Sequence, residues 1–432
     1  MPRLLLLNAL VIDPARELEK KLDLLIEDGR IKAVAAGLKP CACGNPVIYD
    51  ATGLWLLPGL IDMHVHTREP GMERAEDLAS AAMAAAAGGI TSILAMPNTE
   101  PPADDPALIR RLRAKAAELP VNVYFSAAIT LGRAGRELAA LKALKKAGAI
   151  AFTDDGSCVA DAGLLKRALK LAKSLKLPVL EHSESFQLTG PGVMHDCARA
   201  RRLKVPGIPR EAEIFMVLRD LMLAGATGGP LHLQHLSCLE SVDLTAAAKR
   251  AGIRVTAETC PHYFTLTCDD VRNAAFKMKP PLRERADRAA MKKGLAAGTI
   301  DVIASDHAPH PAAEKAKGLT KAPFGVIGLE TMLGLALTEL VHKGVISKLR
   351  LAELMSANPA RILGLKSKGG LAPGMDADIT LIAPRAEYRV SPRFYSKSAN
   401  SPFIGRRLKG RAVATIVGGR FVFKGGRIID SN

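Results

Sequence analysis

Aromatic residues are scarce in this chain, making up 4% of 432 residues with a single tryptophan. The scarcity matters because Lys and Arg exceed Asp and Glu by enough to give a formal net charge of +17. A basic chain that holds single-stranded nucleic acid stacks bases on rings set among its cations, and no such interleaved motif is present. The cations lie instead along amphipathic stretches such as "LIRRLRAKAAEL" and "LKALKKAGA", the pattern of solvated helix faces. Nucleic acid is thereby set aside, while a basic surface still concentrates an anionic small substrate.

Other absences narrow the class further. Seven cysteines, an odd number at irregular spacing, form no disulfide framework, which agrees with a reducing compartment. Cys41-x-Cys43 lacks the second pair of a zinc site and reads as a loop. No apolar run reaches membrane-spanning length. The opening "MPRLLLLNALVIDP" has an arginine before an apolar run, but Asp13 and Pro14 follow and no small-residue cleavage site appears. It reads as the first strand of a cytoplasmic protein. Internal repeats and long low-complexity segments are also missing.

What is present is an alternation. The runs "GLIDMHVH", "ITSILAM", "VNVYFSAAI", "AIAFTDD", "LPVLEHS", "PLHLQHLS", "IRVTAET" and "DVIASDH" are strand-like, and Ala/Leu/Lys-rich segments long enough for crossover helices separate them. Eight such units predict an α/β fold of the (β/α)8 TIM-barrel type over residues 57–370. A doubly wound sheet competes, but no glycine-rich phosphate loop follows the first strand. Residues 1–56 and 371–432 show strand alternation and glycine turns with little helical period, so both ends are expected to pair into one small β-sandwich domain.

The strand ends carry the chemistry. They finish in His64 and His66, Pro97-Asn98, Asp154-Asp155, His182, His235, Glu258 and Asp306-His307. A barrel gathers these ends around one mouth, where active sites of this fold lie. In "DMHVH" the two histidines are two apart on a strand, so both imidazoles point to one side. With His182, His235, Asp306 and an aspartate of "FTDDG" they supply enough ligands for two adjacent divalent ions. Neutral imidazoles cannot offset four positive charges, so an anionic bridge is needed, and Asp154 or Asp155 can provide it.

"DMHVHTREPG", "AMPNT", "FTDDG", "EHSE", "LQHLS", "KMKPPLR", "SDHAPH" and "APFGVIGLE" occur in an order that resembles the dihydroorotases of the amidohydrolase superfamily, especially the longer bacterial class. "GGLAPGMDADITLI" resembles the composite β domain of that superfamily. The resemblance implies a hydrolase of cyclic amides that reversibly cyclises N-carbamoyl-L-aspartate to L-dihydroorotate in pyrimidine biosynthesis, with two zinc ions as cofactors. It implies that His64, His66 and Asp306 bind the more buried ion, that His182 and His235 bind the other, and that Asp155 is the bridge. Asp306 becomes the acid/base that shuttles the proton.

For the substrate, the resemblance implies contacts from His66, Arg68, Asn98 and His310, with the backbone of Phe324 and Gly325 against the ring. Arg68 suits a bidentate carboxylate clamp. The segment "HPAAEKAKGLTKAPFG" reads as a mobile loop over the site. Lys279 is a departure: many relatives carry asparagine there, and the lysine either donates to the ring carbonyl or points away. The partners open to such a chain are aspartate transcarbamoylase and a second copy of itself.

The remaining histidines have plainer readings. His195, His232 and His342 are expected to be structural or exposed, and His262 and His307 to support the ligands. Glu73 and Glu76 are expected in the entry turn of the helix at "EDLASAAMAAAA". Two rival functions remain. One is a dihydropyrimidinase- or allantoinase-like cyclic amidase, which typically bridges its metals with a carboxylated lysine and lacks the arginine of "HTREPG". The other is a silent, dihydroorotase-like scaffold of aspartate transcarbamoylase, which the retained ligands disfavour.

Overall fold

The computed structural model describes residues 3–40 and 46–429, so the Cys41-x-Cys43 loop lies outside the described residues. All eight expected strands form: Leu60–Val65, Ile90–Ala95, Asn122–Ala127, Ala151–Phe152, Val179–Glu181, Leu231–Leu233, Val255–Thr259 and Val302–Ile303. They lie side by side in sequence order, every pair parallel. The first and last edges meet through a parallel bridge between Val65 and His307, where the His66 amide donates to the His307 carbonyl at 2.9 Å. That contact closes the barrel.

The strand runs are rich in apolar residues, and every residue of Ile90–Ala95 is buried, as expected of a strand covered on both faces. The covering helices read as expected. In Ala162–Leu175 the apolar positions Leu164, Leu165, Ala168, Leu169 and Ala172 are buried on one stripe. Asp161 caps its first turn by accepting from the Leu164 amide, and Lys176 ends it in a left-handed conformation. Leu78–Ala87 has seven alanines in ten residues, small side chains that let it pack between the barrel strand Ile90–Ala95 and the terminal sheet. Just after it, Gly89 has φ +86°, and a Cβ there would stand 2.8 Å from Ala412 Cβ.

Both chain ends build a single nine-stranded sheet. Its seam is Trp55–Pro58, which pairs in parallel with Leu4–Asp13 and antiparallel with Ile379–Arg389. One core joins Leu6, Val11, Leu24 and Ile26 from the first end to Ile379, Leu381, Ala414 and Ile416 from the second. The C-terminal segment also reaches back to the barrel mouth, which the strand pattern does not foretell. Asn400 Nδ2 donates to the Ala308 and Gly325 carbonyls, each at 3.1 Å. Among the described residues, no helix is long and apolar enough to cross a membrane.

Candidate active site

The barrel mouth holds a cavity of about 270 Å³ lined by His66, Arg68, Asn98, Asp155, His182 and His235 on one side, and by Lys279, Asp306, His310, Phe324 and Gly325 on the other. His64 lies beneath it, fully buried. Residues as far apart in sequence as His66 and Gly325 thus share one space. The left-handed backbone of Arg68 (φ 60°), His235 (φ 34°) and Asp306 (φ 46°) turns these three side chains at the strand ends. Such conformations are strained for residues with a Cβ and persist where the surroundings enforce them.

Three of the four imidazoles, those of His64, His66 and His182, are oriented by a partner behind them. His64 Nδ1 donates to Glu258 Oε1 at 2.6 Å, which leaves Nε2 facing Asp155 Oδ1 at 3.3 Å and Asp306 Oδ1 at 3.4 Å. His66 Nδ1 donates to Asn98 Oδ1 at 2.8 Å, and its Nε2 lies 3.1 Å from Asp306 Oδ1. His182 Nε2 donates to Glu184 Oε2 at 2.8 Å, turning Nδ1 toward His235 Nε2, also at 2.8 Å. Two groups have donor atoms within 4.8 Å of one another: His64, His66 and Asp155, and Asp155, His182 and His235. Asp155 is common to both.

Whether this set fits a cation can be judged from the charges and orphaned atoms. His64 Nε2 is buried and, among the described residues, without a hydrogen bond. Burial opposes protonation of His64, yet Asp155, Glu258 and Asp306 overcome it and push the imidazole well above its usual pKa. Burial would likewise raise Asp155, but His64, His182 and His235 hold it well below the usual carboxylate range. A field that draws a proton onto a buried imidazole suits a positive ion at the same place, and nitrogen with carboxylate oxygen is a donor set for divalent metal. The residues fit such an ion.

Asp154 has other work. Its side chain accepts from the Ile129 amide at 2.8 Å, the Thr130 amide at 3.1 Å and the Thr130 hydroxyl, all away from the imidazoles. Arg68 is buried, and burial lowers its pKa to about 10, which still leaves it charged at neutral pH. Its Nε donates to the Pro309 carbonyl at 3.2 Å, and no carboxylate among the described residues pairs with it. His310 donates to the Phe324 carbonyl at 2.7 Å; burial, then Arg68, lowers it to about 3 and keeps it neutral. Lys279 does not point away: its ammonium is 3.2 Å from Glu184 Oε1 and sits over the Phe186 and Phe324 rings at 4.6 and 5.0 Å.

Several supporting residues escaped the sequence reading. Glu258 was visible as a strand ending, but its grip on both His64 and His232, the latter at 3.1 Å, was not. Glu184 stands two residues after His182, the only hint of its role. Glu76 is not in a solvated helix entry: Asp77 and Ser80 form the capping box, while Glu76 is buried and accepts from His307 Nε2 at 3.1 Å and from the Ser396 hydroxyl. The segment expected to be mobile folds into two short helices, Ala312–Lys315 and Gly318–Lys321. Lys315 Nζ pins it by donating to the carbonyls of Lys277, Pro323 and Gly325.

Comparison with known proteins bears on this geometry. Residues 53–241 match a family model described as dihydro-orotase-like. The chain is 48% identical over 425 residues to a dihydroorotase of Pelobacter propionicus, covering 98% of this chain and 99% of that one. It is 49% identical over 426 residues to a dihydroorotase of Pelotomaculum thermopropionicum, with the same two coverages. Among solved structures it resembles an L-hydantoinase (dihydropyrimidinase) from Arthrobacter aurescens, with TM-score 0.87 and 26% identity over 99% of this chain and 98% of that one. A dihydropyrimidinase from Brevibacillus agri gives TM-score 0.86 and 25% identity, over 99% and 96%. The barrel and the terminal sheet are therefore shared with a solved hydantoinase and a solved dihydropyrimidinase.

Proposed function

The chain belongs to the dihydroorotase family, and from that premise we infer that its barrel mouth interconverts N-carbamoyl-L-aspartate and L-dihydroorotate in pyrimidine biosynthesis. The observation that carries the reading is Arg68, a buried cation without a carboxylate partner among the described residues, in the same cavity as the His/Asp cluster. Dihydroorotate differs from dihydrouracil by one carboxylate, and Arg68 with Asn98 presents donors to such a group, while His310 lines the same cavity with its N–H committed to the Phe324 carbonyl.

We assign His64, His66, Asp155, His182, His235 and Asp306 as the residues that would hold two zinc ions, Asp155 being common to both donor groups. When bound, the ions supply Lewis-acid polarisation of the attacking water and of the amide carbonyl. The proton is moved by Asp306. In the hydrolytic direction its carboxylate takes the proton of the attacking water and gives it to the leaving ring nitrogen. In ring closure it takes the proton of the attacking ureido nitrogen and returns it to the departing oxygen. Burial would raise Asp306, but His64 and His66 overcome it and lower its pKa, so it is ready to accept a proton at neutral pH. Phe324 and Gly325 provide backbone for the ring, and Lys279, held by Glu184 and two ring faces, supplies a donor to the ring carbonyl. The free, buried state of the five described cysteines supports a cytoplasmic setting.

The test compares substrates. Wild-type protein should carry two equivalents of divalent metal and hydrolyse dihydroorotate while largely ignoring dihydrouracil and hydantoin. Arg68→Met should keep the metal and lower the dihydroorotate-to-dihydrouracil ratio of kcat/KM by an amount equivalent to about 2–5 kcal/mol, because it removes the partner of a buried carboxylate. A wild-type ratio near unity would favour the general cyclic amidase suggested by the solved structures.

A further inference from the structure

The opposite end of the barrel carries a second cavity, of about 740 Å³, that the chemistry above does not use. It lies at the strand starts, where Pro178, Pro230 and Ile253 give it apolar walls. Its rim brings together Lys173, Lys176, Arg254 and Arg361, and no aspartate or glutamate lines it. All four cations are exposed, and among the described residues none forms an ion pair. Lys173 Nζ donates to the Thr227 carbonyl at 3.1 Å, and Arg361 Nη2 is 3.5 Å from Asn358 Oδ1, both neutral partners.

A plain structural cause covers part of this. Lys173 and Arg361 stand in the last turns of the helices Ala162–Leu175 and Asn358–Leu363, where a cation complements the negative dipole end. It does not cover Arg254, which belongs to no helix and leads into the strand Val255–Thr259. Four like charges around one concavity repel one another, and their combined field concentrates anions there. The apolar walls suit a body that free phosphate lacks.

We propose that this cavity binds a phosphate-bearing small molecule with an apolar or aromatic body, of the nucleotide class, at a site separate from the catalytic mouth. Its phosphates meet the four cations, and its ring lies against Pro178, Pro230 and Ile253. The site also has a physical link to the mouth. Thr256 lines the cavity, and its hydroxyl is 2.8 Å from His232 Nδ1; His232 and His64 share Glu258.

Calorimetric titration of the metal-loaded protein at physiological ionic strength tests this, with ATP, tripolyphosphate and adenosine as probes. Wild type should bind ATP with a sub-millimolar Kd, more tightly than either tripolyphosphate or adenosine. Lys176→Glu/Arg254→Glu should weaken ATP binding by about tenfold or more, while Lys142→Glu/Lys146→Glu, an equal charge change on the exposed face of another helix, should not. Arg68→Met should leave ATP binding unchanged. Retained hydrolysis of dihydroorotate shows that both double variants are folded. Absence of sub-millimolar ATP binding overturns the proposal. So does an equal loss in the two double variants, loss in Arg68→Met, or tripolyphosphate binding as tight as that of ATP.

Discussion

Asp154 and Asp155 are adjacent, chemically identical and buried, yet their surroundings set them apart. Burial raises Asp154, whose carboxylate serves the backbone of Ile129 and Thr130, while the imidazoles around Asp155 depress it. Asp155→Ala should therefore lose bound metal and activity. Asp154→Ala should retain metal but lose about 2–4 kcal/mol of stability, because it strands buried amides that had a charged acceptor. Metal analysis alongside urea unfolding separates the two, and the reverse pattern would exchange their roles. The sequence named the pair from the need for an anionic bridge. It could not choose between them by itself, because the choice depends on which way each side chain turns at the end of a two-residue strand. Glu258 and Glu184 were harder still, since an orienting partner leaves no spacing signal of its own.

At the scale of elements, strands and helices were legible because each carries its own period or capping chemistry. All eight barrel strands fall inside runs marked by β-branched and apolar residues. The helix Leu78–Ala87 has an alanine-rich sequence that gives little amphipathic signal, but its start is written in Asp77-x-x-Ser80. Burial would raise Asp77, but Lys397 and Ser80 overcome it and lower the pKa to about 2. Its contribution should therefore be fully present above the unfolded value near 4 and be lost as pH falls toward 2. Asp77→Ala should cost about 1 kcal/mol at neutral pH, the usual worth of such a cap, and the difference from wild type should shrink over that acid window. Equal stability of the two proteins at pH 7 would remove Asp77 as a cap of consequence. The loop after Asp306 went the other way. Its Lys, Gly and Pro suggested mobility, but Lys315 finds three carbonyls that no local pattern announces.

Across the whole molecule, the ligand cluster at the mouth joins the ends of the first, fourth, fifth, sixth and eighth barrel strands. Metal should therefore act as a cross-brace as well as a reagent. Stripping it with a chelator should lower the thermal midpoint by several degrees, consistent with about 3–4 kcal/mol for a ligand held at a few hundred times its Kd, and adding zinc should restore it. An unchanged midpoint in protein shown to be metal-free would mean that the barrel does not lean on the cluster.

The sequence by itself determined the eight-fold alternation, the residue types at the strand ends and the β character of both chain ends, because periodicity and turn chemistry act over a few residues. It also contained, in the order of its motifs, the resemblance to dihydroorotases. Only the tertiary structure decided that Val65 meets His307 to close the ring, that Asp155 faces the imidazoles while Asp154 faces backbone, and that Asn400 returns to the mouth. It also decided that four cations, none in an ion pair among the described residues, gather at the barrel's other end. Those outcomes depend on side-chain direction and on contacts between distant segments, which exist only once the barrel has closed and the two chain ends have paired.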